Sequence, residues 1–347
     1  MAKAELLFEL DGHEVRISSP EKVYFPSVKL NKADVVGYFL SIGPGIVRAL
    51  RDRPTAMERW PGGVPGPDDE PQEAFFQKRI PANAPDWVGR VEVRFPSGRT
   101  AIEVAPTDLA TVVWMANLGT LRFHPWPVRR AAAELVDQLR LDLDPQPGTG
   151  FAQAVEAAIE LRQVLEEAGL SSFCKTSGGR GVHVFVRIEP VDFITARHAV
   201  IAAGRELARR RPELVTVNWW KEERGSRIFL DYNQMARDRL MTSAYSIRPV
   251  PEALVSAPVT WAELEQVQPQ DFTVVTMPDR FARLGDPWAE LDTITPGSVA
   301  GLIEWYERDA AAGEGELPYP PEYPKMPGEP PRVQPSRKNP DNWDASA

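Results

Sequence analysis

The 347-residue sequence has a single cysteine, Cys174, and only four histidines. One cysteine excludes a disulfide within the chain and a cysteine-based zinc site, and it favours a reducing, cytoplasmic location. Cys174 is expected to act as a small buried hydrophobe in a strand. No run of 18 apolar residues occurs, so neither a membrane span nor a membrane partner is expected. Met1-Ala2-Lys3-Ala4-Glu5 does not begin an apolar signal-peptide core. A basic excess is missing too: the net charge is -9 and the pI about 5.2. Nucleic-acid binders usually carry a basic surface, so any such affinity must rest on a local basic patch. There is no internal repeat.

What is present is a globular composition, 43% hydrophobic and 26% charged. The length can bury the core of one large domain or two smaller ones. Charged residues with a distinctive pattern are spread over about a hundred positions in the middle. They run Leu141-Asp142-Leu143-Asp144-Pro145, then Lys175-Thr176-Ser177-Gly178-Gly179-Arg180-Gly181-Val182-His183, then Ile228-Phe229-Leu230-Asp231-Tyr232. Three acids at strand ends, with a glycine-rich basic turn between them, supply what two-metal phosphoryl transfer needs: carboxylates for cations and donors for a polyphosphate.

Periodicity gives the frame. Asn31 is expected to cap a helix carrying Val35, Val36, Phe39 and Leu40, and Thr107 another over 107–118. Residues 61–70 read as a loop. Leu139–Asp144 alternates as a half-buried strand, 151–168 is helical with Gly169 as its stop, and 172–176 and 182–188 are strands around the turn at 177–181. Asp192 caps a helix to about Arg211, and 215–220 and 227–231 are further strands. Setting aside the strand at 215, the order is β-α-β-β-α-β, the split βαβ of ferredoxin-like and RNA-recognition folds. Such a sheet places its first strand between the third and the last, which would bring Asp142, Asp144, His183 and Asp231 into one neighbourhood. Asp142 and Asp144, two apart, share a face. Three carboxylates together repel, and a divalent cation is the simplest compensation.

Each motif has a plainer reading when taken alone. A lone Asp-x-Asp is usually a solvated strand end, and Gly-Gly is usually a tight hairpin. In context, 177–181 reads as a nest of backbone N–H groups around phosphates, helped by Lys175 and Arg180. His183 by itself would support a strand, His124 would be a loop histidine, Arg224 and Arg248 surface charges, and Phe75 and Phe76 core.

Taken together, these residues resemble the archaeo-eukaryotic primase-polymerases, most closely the polymerase domain of bacterial DNA ligase D and its stand-alone relatives. The resemblance spans about 15–300. It is carried by Lys22-Val23-Tyr24-Phe25-Pro26, Arg51-Asp52-Arg53-Pro54, Phe75-Phe76-Gln77-Lys78, His124-Pro125-Trp126-Pro127, Asp142-Leu143-Asp144-Pro145, Thr176 to His183 and Phe229-Leu230-Asp231-Tyr232. It implies an α+β fold in which an RNA-recognition-like catalytic sheet packs on an N-terminal α/β unit. The catalytic domain would cover 1–300, with units of about 1–120 and 121–250 and the remainder completing the core. A helix and proline-rich tail, extended or wrapped on the surface, would fill 301–347.

The resemblance implies roles as well. Asp142, Asp144 and Asp231 would hold two divalent cations, Mn2+ or Mg2+, and be catalytic. His124, Ser177 and His183 would bind the triphosphate of an NTP or dNTP, with Lys175, Arg224 and Arg248 as basic residues around it. Lys22 and Lys32 would grip a downstream 5′-phosphate, with Arg59 in the same DNA-binding group, and Phe75 and Phe76 would stack on the template. The activity implied is template-dependent addition of nucleotides, preferably ribonucleotides, to a primer 3′-OH in gapped or broken DNA during repair and end joining. A DNA ligase or an end-binding protein would be the partner.

There are departures from the family pattern. Glu58 stands where relatives often have a basic residue, which is expected to weaken the 5′-phosphate pocket, and Met235 stands where many have Asn. The loop 62–73 is long and acidic (Asp68, Asp69, Glu70, Glu73). No Lys-x-Asp-Gly ligase motif occurs, so a stand-alone enzyme is expected. Two rivals share parts of the pattern. A two-metal nuclease would need no triphosphate cradle, and a non-catalytic RNA-recognition-like binding module would need no convergent acids.

Overall fold

A computed structural model describes residues 5–66, 69–70 and 72–330. Asp68 of the acidic loop and the end of the proline-rich tail lie outside the described residues. The chain opens with an antiparallel hairpin of β1 (Glu5–Leu10) and β2 (His13–Ser18), then a short pair, β3 (Val23–Phe25) and β4 (Leu30–Asn31). Asn31 caps α1 (Lys32–Ser41) as expected. Its side chain accepts from Asp34 N at 3.0 Å while the Asp34 carboxylate accepts from Asn31 N at 2.7 Å, so two otherwise orphaned donors are satisfied. α2 (Gly43–Leu50) follows.

A five-stranded sheet comes next, built from β5 (Thr55–Arg59), β6 (Phe75–Gln77), β7 (Arg90–Arg94) and β8 (Thr100–Val104). After α3 (Leu109–Asn117), β9 (Thr120–Pro125) completes it by pairing with β5. The cap of α3 is Asp108, not Thr107. Asp108 Oδ1 accepts from Thr111 N at 2.7 Å, whereas the Thr107 hydroxyl is turned onto the same carboxylate.

The second sheet is made by β10 (Val136–Pro145), β11 (Ser172–Thr176), β12 (Val182–Val191), β13 (Val215–Thr216), β14 (Ile228–Leu230) and β15 (Pro258–Val259), in the spatial order β13-β14-β10-β12-β11-β15. The long central strand β10 thus lies between β14 and β12, antiparallel to both. Strand 215–220 is shorter than expected, only Val215–Thr216, and β15 was not anticipated because two residues carry no periodic signal. α4 (Phe151–Glu167) and α5 (Phe193–Arg210) pack on one face of β10. Leu139, Leu141 and Leu143 are fully buried, each contributing about 1.5–3 kcal/mol. The alternate residues Arg140, Asp142 and Asp144 take the opposite face, toward the first sheet: Arg140 donates to the carbonyls of Pro125 and Trp126. Segment 243–247 hydrogen-bonds along β9 through Ser243 N to Phe123 O and Ile247 N to Leu121 O, which ties the sheets together.

The short helix α6 (Lys221–Arg224) precedes β14, and α7 (Trp261–Leu264), α8 (Met277–Leu284) and α9 (Ala300–Ala311) follow β15. The proline-rich segment to Pro330 has no helix or strand, but it is anchored on the body: Tyr319 is buried and the Pro318 carbonyl accepts from Tyr232 Oη. No single helix among the described residues is long and apolar enough to cross a membrane.

Candidate active site

The acids sit on or just past neighbouring strands, where β10 runs between β14 and β12. Asp142 lies opposite His183 of β12, and Asp144 opposite Phe229 of β14. Asp231, one residue past β14, hydrogen-bonds through its backbone N to Asp142 O at 3.0 Å. Each carboxylate has its own support. Asp142 Oδ1 lies 3.3 Å from His183 Nε2, Asp144 Oδ2 accepts from Gln146 Nε2 at 3.1 Å, and Asp231 accepts from Asn233 N at 3.0 Å and Gln234 Nε2 at 3.1 Å. Among the described residues no three Asp, Glu, His or Cys side chains converge closely enough to form a ready cation cage. Like charges without a counter-ion are expected to stand apart in this way. The donor set itself, all carboxylate oxygen on adjacent strands, suits Mg2+ or Mn2+.

The protonation energetics show the strain of this grouping. Burial, with the Asp142 charge second, pushes the Asp231 carboxyl up to about 6 and raises Asp144 in the same direction. A carboxyl with a raised folded-state pKa makes the native state bind the extra proton. Stability is therefore present at low pH and lost as pH rises from about 4 through about 6. Without divalent cations the protein is expected to lose about 1–2 kcal/mol across that window, allowing for solvent screening at Asp231. Mn2+ should restore it above pH 6 and do little at pH 5. Melting curves at both pH values check this, and a Mn2+ effect equal at both would contradict it.

In front of Asp142 and Asp144 opens a cavity of about 340 Å3, also lined by Arg122, His124, Ser177, Gly179, Arg180, His183, Gln234, Thr242 and Arg248. Arg122 and His124, two apart on β9, share a face. Arg122 Nε, His124 Nδ1 and Arg248 Nε are buried there without any hydrogen-bond partner. Buried donors left unpaired are costly, and an anionic ligand would satisfy the guanidinium nitrogens. His124 Nδ1 donates only from a doubly protonated ring. Burial opposes that state, while the bond from Nε2 to Glu58 Oε2 at 2.8 Å favours it; burial wins, and His124 titrates below its usual range. A larger cavity, about 570 Å3, lies by Lys78, Arg99, Arg237 and Glu322 and contains none of the three acids. Converging chemistry rather than size identifies the site.

The glycine-rich turn differs from the expected nest. Gly179 N and Gly181 N both donate inward to Ser177 Oγ, at 3.2 and 3.1 Å, so these two N–H groups are not open to a phosphate. They fix Ser177 at the cavity wall instead. Gly178 has φ +73°, and a Cβ there would come within 2.7 Å of Arg248 Cγ, so this position holds the arginine close.

Lys175 and Arg224 stand behind the cavity rather than on it. Lys175 is fully buried, with Nζ 2.8 Å from His183 Nδ1 and 2.5 Å from Ser256 Oγ. Burial, then the neighbouring Lys175 charge, lowers His183 to about 4, so its ring is neutral, accepting at Nδ1 and donating toward Asp142 at Nε2. The Arg224 guanidinium lies 3.4 Å over the Phe229 ring and donates to the Asn218 and Trp219 carbonyls. From there its charge acts on Asp231 and Asp144.

A second cationic group gathers at β3, β4 and β5. Lys32 donates to Asn117 Oδ1 and Ser18 O at 2.7 and 2.8 Å, Lys22 to Pro61 O, and Arg59 Nε to Leu118 O at 2.8 Å. Burial first, then the charges of Lys22 and Arg59, lowers Lys32 to about 8. Phe75 and Phe76 are 54% and 45% exposed, which excludes the core reading. Adjacent on β6, they point to opposite faces: Phe75 lies under Arg59 (5.4 Å) and Phe76 beside His124 (5.2 Å), so the pair stands between the cation cluster and the cavity. Glu58 faces away from the cluster. It binds Arg122 and His124 at 2.9 and 2.8 Å, so its acidity bears on the cavity and not on the expected phosphate pocket.

The sequence model of the LigD primase-polymerase domain matches residues 31–288. The chain belongs to the LigD primase-polymerase family. It is 31% identical over 317 residues to the multifunctional non-homologous end joining protein LigD of Mycolicibacterium smegmatis, covering 90% of this chain and 40% of that protein. It is 32% identical over 320 residues to the corresponding Mycobacterium tuberculosis protein, covering 88% and 40%. The solved polymerase domain of Mycobacterium tuberculosis ligase D, in complex with DNA, superposes with a TM-score of 0.73 at 30% identity, over 81% of this chain and 98% of that one. The chain thus spans about 40% of the length of these curated relatives. As a primase-polymerase it is a nucleotidyltransferase.

Sequence reading gave no role to Arg122, Gln234, Leu240, Met241 and Thr242 of this primase-polymerase's cavity, and took Arg180 only as a helper of the turn. Arg122 carried a usable signal, being two residues before His124 on a strand. Gln234 and Thr242 carried none, since one sits in a single 3-10 turn and the other in an irregular segment.

Proposed function

We propose that the chain is a template-dependent polymerase that extends a primer 3′-OH in short DNA gaps or at broken ends, with Asp142, Asp144 and Asp231 as the cation-binding acids. The observation that carries this is one cavity with carboxylates on one wall and buried, partnerless arginine nitrogens on the other. A nuclease would need no such cradle for a free triphosphate. The strand order around β10 supports a split βαβ, RNA-recognition-like catalytic sheet. Two divalent cations, Mn2+ or Mg2+, would lower the pKa of the 3′-OH and offset charge on the leaving pyrophosphate. Arg248, Arg122 and Arg180 bind the triphosphate, and Ser177 donates its hydroxyl to it. Neutral His183 holds the Asp142 carboxylate in place by donating from Nε2, and Lys175 fixes that tautomer from behind. Phe75 and Phe76 stack on template bases, and Lys22, Lys32 and Arg59 take a 5′-phosphate. The preference for ribonucleotides follows from the family resemblance, as does a role in end-joining repair beside a DNA ligase or end-binding protein.

Primer extension on gapped, nicked and unprimed templates, with release of pyrophosphate as the readout, tests the reading. Template-directed extension on gaps is expected, and phosphodiester cleavage without pyrophosphate would overturn it in favour of a nuclease. On the same gapped DNA, Lys22→Ala and Lys32→Ala should each cut the preference for a 5′-phosphate about tenfold or more. Each should also lower the salt slope of binding by about 0.7–0.9. Because Lys32 titrates near 8, the preference should fade as pH rises through that value. An unchanged preference in both variants would refute the phosphate assignment.

A further inference from the structure

The turn that follows Asp231 is tied to the C-terminal segment through one buried arginine. Arg197 of α5 is fully buried, so all its donors need partners. Nε donates to Asn233 Oδ1 at 3.1 Å, Nη1 binds the Glu316 carboxylate, and Nη2 donates to Leu317 O and Pro318 O at 3.0 and 3.2 Å. The Tyr319 ring covers the guanidinium at 3.7 Å. Asn233 is held from both ends of its amide, because its Nδ2 donates to Pro318 O at 3.1 Å. The Tyr232 hydroxyl donates to that same carbonyl at 3.2 Å. Asn233 so fixed presents its backbone N–H to Asp231 Oδ1 at 3.0 Å, and Gln234 of the same turn donates to Asp231 Oδ2.

We propose that Arg197 is a positioning residue for Asp231, and that segment 316–319, by completing the partners of Arg197 and Asn233, sets the cation affinity of the active site. This rests on Asp231 being a cation ligand, as proposed above. Outer partners that orient a ligand commonly change metal affinity when removed. Segment 316–319 thereby positions the turn that supports Asp231.

Three full-length variants test this: Arg197→Met, the pair Glu316→Ala with Tyr319→Ala, and Asp231→Asn as reference. Mn2+ binding is followed by the EPR signal of the free ion, with melting temperature and primer extension measured on the same samples. The first two variants should bind Mn2+ about 10–100-fold more weakly. Extension should fall at low Mn2+ and recover at saturating Mn2+, with affinity for gapped DNA unchanged. A lowered melting temperature with native Mn2+ affinity would show a purely structural pillar and overturn the proposal. If Arg197→Met does not fold, the Glu316 and Tyr319 pair decides by the same readouts. Native Mn2+ binding by Asp231→Asn would refute the ligand role of Asp231 and the proposal with it. Weak binding by Asp231→Asn beside native binding by the other two would refute the positioning role alone.

Discussion

With Asp142→Ala and Asp144→Ala combined, nucleotide addition is expected to fall by about 10³-fold or more, the scale on which positioned electrostatic groups act in catalysis. The fold should survive. Both side chains lie on the face of β10 away from α4 and α5, whereas Leu139, Leu141 and Leu143 carry the packing. The closest contact of either acid is His183 to Asp142, and that ring is already neutral, although the Asp142 charge also favours the buried Lys175 ammonium. Metal-free melting should therefore change little, because removing the Asp142 charge relieves Asp231 but takes from buried Lys175 a charge that favours its ammonium. DNA binding should persist, since Lys22, Lys32 and Arg59 are untouched. Circular dichroism, DNA affinity and primer extension on one preparation check all three expectations. Appreciable extension by the double variant would remove the acids from the mechanism.

The second large effect is expected at Arg248. Its guanidinium lines the cavity, its Nε is buried without a partner, and Gly178 holds its stem. A charge-assisted hydrogen bond to phosphate contributes about 1.5–3 kcal/mol. Arg248→Ala should therefore raise KM about 10–100-fold, and equally for all four bases, since phosphates carry no base information. DNA binding without nucleotide should not change. Single-nucleotide incorporation against each template base measures this. A loss confined to one base would place Arg248 at the base, and an unchanged KM would remove it from the cradle. His183→Ala is a less clean variant, because it also strips Lys175 of an acceptor and should lower the melting temperature along with activity.

The central strands were legible because local rules govern them. Alternation marked β10, and it placed Asp142 and Asp144 on one face before any neighbour was known. Caps at Asn31 and Asp192 were legible for the same reason, since the side chain bonds its own first turn. Thr107 misled because two capping residues stand side by side and only geometry selects Asp108. Lys175 and Arg180 show the limit more sharply. Both flank the glycine turn, yet one ends fully buried behind His183 while the other lines the cavity. A strand residue's face depends on which sheet surface meets a second layer, and that is a tertiary fact.

By itself, then, the sequence determined the family, the helices α1, α3, α4, α5 and α9, the central strands, the three acids and the basic turn between them. These follow from residue chemistry at short spacing, where hydrogen-bonding and burial rules act within a few residues. Tertiary structure alone decided that Glu58 faces His124 and Arg122 instead of the Lys22 cluster. It also folded Pro318 back against Tyr232 and Asn233. Those outcomes depend on contacts between residues tens of positions apart, where packing selects among side-chain directions that local chemistry leaves equal.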